Sequence, residues 1–208
     1  MPDLSTWIAF AVASLALNLT PGPDMTYVIG RSLGQGSRAG MISALGISAG
    51  TLVHMLAAAL GVGAVLRVWP IAYDMVRYAG AAYLMILGVR MLRKGWAENR
   101  AAGLDPEPLW AIFRQGVLTN VLNPKVALFF VAFLPQFVVP AKASIAWQIL
   151  ALGIYFNFSG TVVNLFVARL ASAAGDLLRR GRAGALVEKI SGCICIALGW
   201  RVVLAKSS

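Results

Sequence analysis

Residues 4–23, LSTWIAFAVASLALNLTPGP, contain no charged side chain and are followed directly by Asp24. A helix of about 20 apolar residues is long enough to cross the roughly 30 Å hydrocarbon core of a bilayer. Three further stretches also lack Asp, Glu, Lys and Arg: residues 39–66, 126–141 and 143–168. These stretches predict a membrane protein built from α-helices, whose first apolar segment ends in Pro-Gly-Pro.

The composition of the whole chain agrees with this prediction. Of 208 residues, 59% are hydrophobic and only 12% are charged, whereas an ordinary soluble domain carries about 25% charged residues. Two weaker apolar stretches, near residues 69–92 and 184–204, complete the set. We therefore predict an all-α polytopic membrane protein with six transmembrane helices, near residues 4–30, 39–66, 69–92, 112–139, 144–169 and 184–205.

The formal net charge of +10 predicts a topology, because its distribution is uneven. With the six predicted helices, one side of the bilayer carries twelve basic residues: Arg31, Arg38, Arg90, Arg93, Lys94, Arg100, Arg114, Arg169, Arg179, Arg180, Arg182 and Lys189. The other side carries five: Arg67, Arg77, Lys142, Arg201 and Lys206. Since Lys and Arg accumulate in cytoplasmic loops, we expect the Arg-rich loops in the cytoplasm and both termini outside, in the inner membrane. The charge orients the protein, and nucleic acid is not an expected partner.

A long polar stretch, residues 93–111, divides the predicted helices into two sets of three. Short matches relate the sets: Leu-Gly-Val-Arg at 87–90 resembles Leu-Gly-Trp-Arg at 198–201, and Pro23-Asp24 corresponds to Pro124-Lys125. Because each set has three spans, the second set enters the membrane from the opposite side. We therefore predict two inverted repeats, residues 1–92 and 112–208, an architecture that in secondary transporters places the site between the repeats. An accidental match is the alternative.

The Pro-Gly-Pro segment is predicted to break the first helix. Pro21 and Pro23 lack an amide hydrogen and clash with the carbonyls one turn earlier, and Gly22 adds conformational freedom. Freed carbonyls are tolerated at membrane depth only where protein, water or a ligand satisfies them. We therefore predict a polar site at this break, formed by Asn18, Thr20, Pro21, Gly22, Pro23 and Asp24. A kink that serves only packing is the alternative.

A second break is predicted in the fourth helix, where Pro124 frees the carbonyl of Asn120. Lys125 follows ten uncharged residues and precedes sixteen more. A charge in the middle of a transmembrane helix costs about 2.5–3.5 kcal/mol even on lenient insertion scales. We therefore predict that this break joins the site, through Asn120, Asn123, Pro124 and Lys125.

The second helix contributes one more candidate, His54, which is the only histidine of the chain. It is a candidate for moving a coupling proton, and a structural hydrogen-bonding role is the alternative. Gly46 and Gly50 on the same helix permit close helix approach. Asn157 and Asn164, in the fifth helix, are predicted to form hydrogen bonds between helices rather than to bind a ligand.

Several functional classes lack their sequence signals. The chain has no Gly-Lys-Ser/Thr loop to bind the phosphates of ATP, no cluster of Cys and His for a metal, and no Gly-x-Ser-x-Gly nucleophile turn. We therefore predict no cofactor and no metal, and a transporter rather than an enzyme. The alternative is a small membrane-embedded enzyme acting on a lipid-linked substrate, which would need a nucleophile–base pair near the interface.

The motifs together resemble the LysE/RhtB family of amino-acid exporters, in particular its RhtB-like branch. The resemblance covers nearly the whole chain and is carried by these stretches: Leu19–Asp24, Arg31–Gly36, Gly40, Gly80, Tyr83-Leu84, Gly88, Gly116–Asn120, Asn123–Lys125 and Phe133–Phe137. The resemblance implies a secondary transporter that exports small, neutral amino acids from the cell, with the proton as the expected coupling ion. Asp24 would then meet the ammonium group of the substrate and Lys125 its carboxylate. The oligomeric state stays open, a homodimer included.

Overall fold

The structure, a computed structural model, describes residues 3–68, 106–139 and 144–173, together with eight isolated positions: 78, 82, 85, 86, 89, 193, 196 and 200. Five α-helices are found in these ranges: α1 (Leu4–Leu19), α2 (Pro23–Val68), α3 (Leu109–Val121), α4 (Pro124–Leu128) and α5 (Ile145–Ala173). A π-helical turn, Phe129–Phe133, and a 3-10 turn, Leu134–Phe137, continue α4. The predicted all-α class is confirmed. The predicted third and sixth helices lie outside the described residues except for the isolated positions.

Both ends of α1 follow from the residues found there. Asp3 caps the N-terminus, because its Oδ1 accepts a hydrogen bond of 2.9 Å from the Thr6 amide. At the other end the helix stops at Leu19, since Pro21 has no amide hydrogen to continue the ladder. Residues 20–22 are not helical, and a new helix begins at Pro23. The predicted first helix, 4–30, is therefore two helices separated by a three-residue break.

The chain reverses direction within α2, at Gly36, whose φ of 83° and ψ of 175° lie outside the helical region. Asp24 and Thr51 both hydrogen-bond the side chain of Asn120, although a straight helix would separate these two residues by about 40 Å. The first arm of α2 (residues 23–35) and its second arm (residues 37–68) therefore lie antiparallel. A glycine adopts this positive φ without a steric penalty, so one residue replaces the predicted connection of residues 31–38.

The second arm of α2 crosses α3 with backbone in contact with backbone. A Cβ atom at Gly116 would lie 2.7 Å from the carbonyl oxygen of Ser43. One at Gly46 would collide with the carbonyl of Phe113, and one at Gly50 would lie 2.8 Å from the Cβ of Asn120. The expected close approach at Gly46 and Gly50 is thus present, and it brings Asn120 against the second arm.

The main apolar core fixes α4 and its continuation against α1 and α5. Its aromatic members are Phe10, Phe129, Phe130, Phe133, Phe137 and Phe156. Phe129 stacks on Phe156 with ring centroids 4.0 Å apart. Large apolar side chains on the other faces of α5 are exposed, among them Trp147, Phe158 and Phe166, as expected for a helix whose surroundings are lipid.

Among the described residues, two helical stretches have the length and composition of a membrane span, Pro23–Gly61 and Ile145–Ala173. Because the chain reverses at Gly36, only the second arm of the first stretch is long enough to cross a bilayer alone. Leu109–Val121 and Pro124–Phe137, which meet at 48°, add a third candidate if they form one broken span. The 16 residues of α1 are fewer than the roughly 20 that a span needs. The predicted fourth helix, 112–139, thus begins earlier, at Leu109, and is broken, while the fifth, 144–169, agrees closely with α5.

Candidate functional site

The break between α1 and α2 exposes carbonyl groups, and Lys125 from α4 satisfies two of them. Its Nζ donates to the carbonyl of Thr20 at 2.9 Å and lies 3.4 Å from that of Leu17. Gly22 lets the lysine side chain pass close to the backbone, since a Cβ there would lie 3.3 Å from Nζ. The side chain of Lys125 is only 6% exposed. A buried ammonium group therefore caps the C-terminal end of α1, where the helix dipole favours positive charge.

The break between α3 and α4 is satisfied in a similar way. Pro124 cannot donate to the carbonyl of Asn120. That oxygen accepts from the Asn123 amide at 2.9 Å and lies 3.0 Å from His54 Nε2. Because a carbonyl only accepts, His54 must carry a proton on Nε2. Asn123 then caps the new helix, with its Oδ1 accepting a 3.0 Å hydrogen bond from the Lys125 amide. His54 thus makes a hydrogen bond of the kind that the structural alternative requires, and its part in proton movement stays a prediction.

Asp24, in the first turn of α2, is held by only one of its two carboxylate oxygens. Asn120 Nδ2 donates to Asp24 Oδ2 at 2.8 Å, and Thr51 Oγ1 lies 3.3 Å from Asn120 Oδ1. Asp24 Oδ1 is buried and has no hydrogen-bond partner among the described residues. Burial of a carboxylate oxygen without a hydrogen-bond donor is unfavourable. Asp24 Oδ1 therefore needs a donor other than the described residues.

A small cavity, which we call the central cavity, lies between the two breaks, the second arm of α2 and α5. Its volume is about 30 Å³, room for about two water molecules. Asp24 is the only acid and Lys125 the only base among the described residues that line it. The remaining lining is neutral: Asn18, Thr20, Met25, Ile47, Ser48, Thr51, Asn120, Val126, Phe156, Asn157, Gly160, Thr161 and Asn164.

The predicted site residues divide into two groups by their position. One group lines the central cavity: Asn18, Thr20, Asp24, Asn120 and Lys125. The other group forms or supports the breaks without lining it: Pro21, Gly22, Pro23, His54, Asn123 and Pro124. Asp24 and Lys125 thus meet at one cavity, but their hydrogen bonds within the described residues go to Asn120 and to backbone carbonyls rather than to each other.

Part of the cavity wall on α5 is not predicted by the sequence. Ser48 Oγ donates to Asn157 Oδ1 at 3.1 Å, which confirms the interhelical bond expected of Asn157. Asn18 Nδ2 donates to Ser159 Oγ at 3.0 Å, and a Cβ at Gly160 would lie 2.9 Å from Asn18 Oδ1. The spacing of Asn157, Thr161 and Asn164 by four and three residues places them on one helix face, a signal that could have indicated this wall.

A second polar group, the Arg31 cluster, ties the first arm of α2 to the start of α3. Arg31 Nη2 lies 2.8 Å from Glu107 Oε1 and 2.7 Å from Gln115 Oε1. Gln35 and the backbone of Glu107 exchange two hydrogen bonds, of 2.6 and 2.9 Å. The Arg31 guanidinium lowers the pKa of Glu107 below its ordinary value through its hydrogen bond.

The Arg31 cluster changes one sequence-based assignment. The sequence places Arg31 among the loop charges, whereas its side chain is only 3% exposed and forms an ion pair with Glu107. The spacing of Tyr27, Arg31 and Gln35 by four residues puts all three on one helix face. This spacing could have indicated that Arg31 belongs to a polar helix face in a buried contact.

Comparisons with known proteins agree with this architecture. The family described as LysE type translocator matches residues 15–206. A leucine efflux protein of Salmonella typhimurium is 34% identical over 136 residues, which are 65% of this chain and 64% of that protein. An uncharacterised membrane protein of Pseudomonas aeruginosa is 32% identical, covering 91% of both chains. A homoserine/homoserine lactone efflux protein of Salmonella typhimurium is 26% identical, covering 93% of both.

No solved structure matches this chain. The family match covers most of the chain, including both helix breaks and every residue that lines the central cavity. Sequence motifs, helical architecture and family match therefore agree. The chain is a polytopic membrane protein that belongs to the family of LysE type translocators.

Proposed function

We propose that this protein exports neutral amino acids across the cytoplasmic membrane and that an inward proton gradient drives the export. The observation that carries the proposal is the central cavity, in which one buried acid and one buried base lie at two helix breaks. Discontinuous helices that expose charged ends and free backbone groups are typical of the sites of secondary transporters. The names of two relatives, a leucine and a homoserine efflux protein, support an amino acid as the substrate.

The two charges suit the two ends of an amino acid. The substrate ammonium group would donate to Asp24 Oδ1, the carboxylate oxygen without a partner. The substrate carboxylate would accept from Lys125, which would exchange its 3.4 Å contact with Leu17 for this shorter, charge-assisted bond. A bound zwitterion would thereby offset the desolvation of both buried charges.

The rest of the cavity wall favours an uncharged substrate side chain. Met25, Ile47, Val126 and Phe156 supply apolar surface, and the polar residues of the lining are amides and hydroxyls. A cationic or anionic side chain would find no second counter-charge among the described lining residues. This composition supports leucine-like or homoserine-like substrates over lysine or glutamate.

The central cavity must widen before an amino acid can enter. A volume of about 30 Å³ holds two water molecules, so the described conformation is closed around the site. We propose that the two breaks belong to inverted repeats, residues 1–92 and 112–208, whose relative movement opens the cavity to each side in turn. The Arg31 cluster joins the first arm of α2 to α3 and would have to separate in one of the two open states.

An efflux experiment tests the proposed substrate class. Cells preloaded with labelled leucine or homoserine should lose the label faster when they produce the protein. The Asp24→Asn variant should export neither compound. Asp3→Asn, which removes an exposed carboxylate while an asparagine still caps α1, should export at the normal rate. Normal export by Asp24→Asn at matched protein levels would contradict the proposed role of the cavity.

The proposed orientation is tested by reporter fusions. With the Arg-rich loops in the cytoplasm and both termini outside, a reporter fused after Ala101 should be cytoplasmic and one fused after Lys206 should be external. Two reporters on the same side would contradict the three spans predicted between these two points.

A further inference from the structure

The starting observation is the asymmetry of the Asp24 carboxylate. Its Oδ2 is fixed by a 2.8 Å hydrogen bond from Asn120, whose side chain is also contacted by Thr51. Its Oδ1 has no partner among the described residues, although the Asp24 side chain is only 8% exposed and lines the central cavity. One oxygen therefore serves to position the group, and the other is available to a ligand.

Few charged or titratable groups face this carboxylate. Lys125, from α4, is the other charged residue of the lining and contacts the carbonyls of Leu17 and Thr20. His54, from the second arm of α2, contacts the Asn120 carbonyl rather than Asp24. The lining residues from α1 and α5 are uncharged. Among the described residues, no hydrogen-bond donor reaches Asp24 Oδ1.

We propose that Asp24 carries either a proton or the substrate ammonium group, and never both, so that a single carboxylate couples the two fluxes. The inference rests on the proposed function. The two ligands use the same oxygen: a proton forms an O–H bond on Oδ1, while the ammonium group keeps its protons and donates one hydrogen bond to Oδ1. Binding of the substrate to the protonated carrier therefore releases one proton, and release of the substrate allows one to bind.

Mixed occupancy is excluded because both ligands need the same oxygen, Asp24 Oδ1, which is the oxygen of this carboxylate without a partner among the described residues. The third possibility, a bare carboxylate, is unfavourable, because Asp24 Oδ1 would then be buried without a hydrogen-bond donor. The carrier would therefore change its orientation with Asp24 either protonated or bound to substrate, which is the condition for obligatory exchange.

The test uses the purified full-length protein in detergent, with leucine and homoserine as the probes. In a weakly buffered solution, binding of either probe should release about one proton per molecule bound. The Kd should rise about tenfold for each unit that the pH falls over the range in which a proton competes with the probe for Asp24. Asp24→Asn should bind more weakly, with a Kd independent of pH and without proton release, whereas Asp3→Asn should behave like the wild type.

The outcomes separate the two proposals. Export and binding of a probe by the wild type, without proton release and with a Kd independent of pH, would overturn the shared-site inference and leave the proposed function intact. Competition by Na⁺ at constant pH, again without proton release, would also overturn it. Failure of both probes to bind or to be exported would overturn the proposed function and the inference with it. The wild-type measurements alone decide these cases, even if Asp24→Asn fails to fold.

Discussion

Replacing Lys125 by methionine tests whether the buried ammonium group stabilises the break after α1. Methionine has a similar length but no donor. Among the described residues, the carbonyl of Thr20 accepts only from Lys125, whereas that of Leu17 also accepts from the Thr20 amide at 3.1 Å. The substitution therefore leaves one buried carbonyl without a partner, which costs about 1–3 kcal/mol.

The effect should be visible in the thermal unfolding of the detergent-solubilised protein, followed by tryptophan fluorescence. For a chain of this length, 1 kcal/mol corresponds to roughly 2–4 °C in Tm, so Lys125→Met should lower Tm by roughly 2–12 °C. Arg114→Met is the matched control, because Arg114 is exposed on α3 and its loss should change Tm by less than about 2 °C. A Tm equal to or above that of the control would refute the reasoning, since removal of the desolvated charge would then outweigh the lost bonds.

Three further predictions concern packing, pH and coupling. Gly116→Ala places a Cβ 2.7 Å from the Ser43 carbonyl and should lower Tm by several degrees, whereas Gly61→Ala, with no atom of the described residues within 4 Å, should not. Equal Tm values for the two variants would contradict the helix crossing. Arg31 lowers the pKa of Glu107 in the folded protein. Their ion pair therefore stabilises the fold fully at pH values above the ordinary glutamate pKa of about 4.3. This stabilisation should be lost as the pH falls through the lower pKa that Glu107 has in the folded state. Melting curves from pH 7 to 3 should show this loss in the wild type and not in Glu107→Gln. If a proton enters for each zwitterion exported, a potential that is negative on the cytoplasmic side should accelerate export from proteoliposomes, and a rate independent of potential would exclude that exchange.

The positions of the helix breaks could be predicted from the sequence, because their causes are local. Pro21 and Pro124 remove backbone donors whatever surrounds them, so the loss of the regular helical partner at the carbonyls of Leu17 and Asn120 follows directly. The nearby amides of Thr20 and Asn123 donate to these carbonyls instead. The side chains that also contact the two carbonyls could not be predicted. Lys125 lies 108 residues from Leu17, and His54 lies 66 residues from Asn120, and no local pattern links such pairs.

The path of the chain between the first two predicted helices could not be predicted from hydropathy. Hydropathy indicates where apolar stretches lie, but it does not distinguish a loop from a sharp reversal at one residue. Gly36 makes the reversal possible through its φ of 83°, and the helix therefore continues on both sides of it. The same continuation brings Arg31 onto a buried helix face opposite Glu107, where charge counting alone assigns it to a loop.

The contact between Lys125 and α1 has a consequence for how the chain is made. A lysine in a helix that enters the bilayer alone costs about 2.5–3.5 kcal/mol, so α4 is a poor insertion signal by itself. The carbonyl group that accepts a hydrogen bond from this lysine belongs to Thr20, which lies 105 residues earlier in the chain. At 5–20 residues per second, ribosomes complete that segment roughly 5–20 s before Lys125 emerges. The order of synthesis therefore delivers the acceptor to the membrane before the charge that needs it.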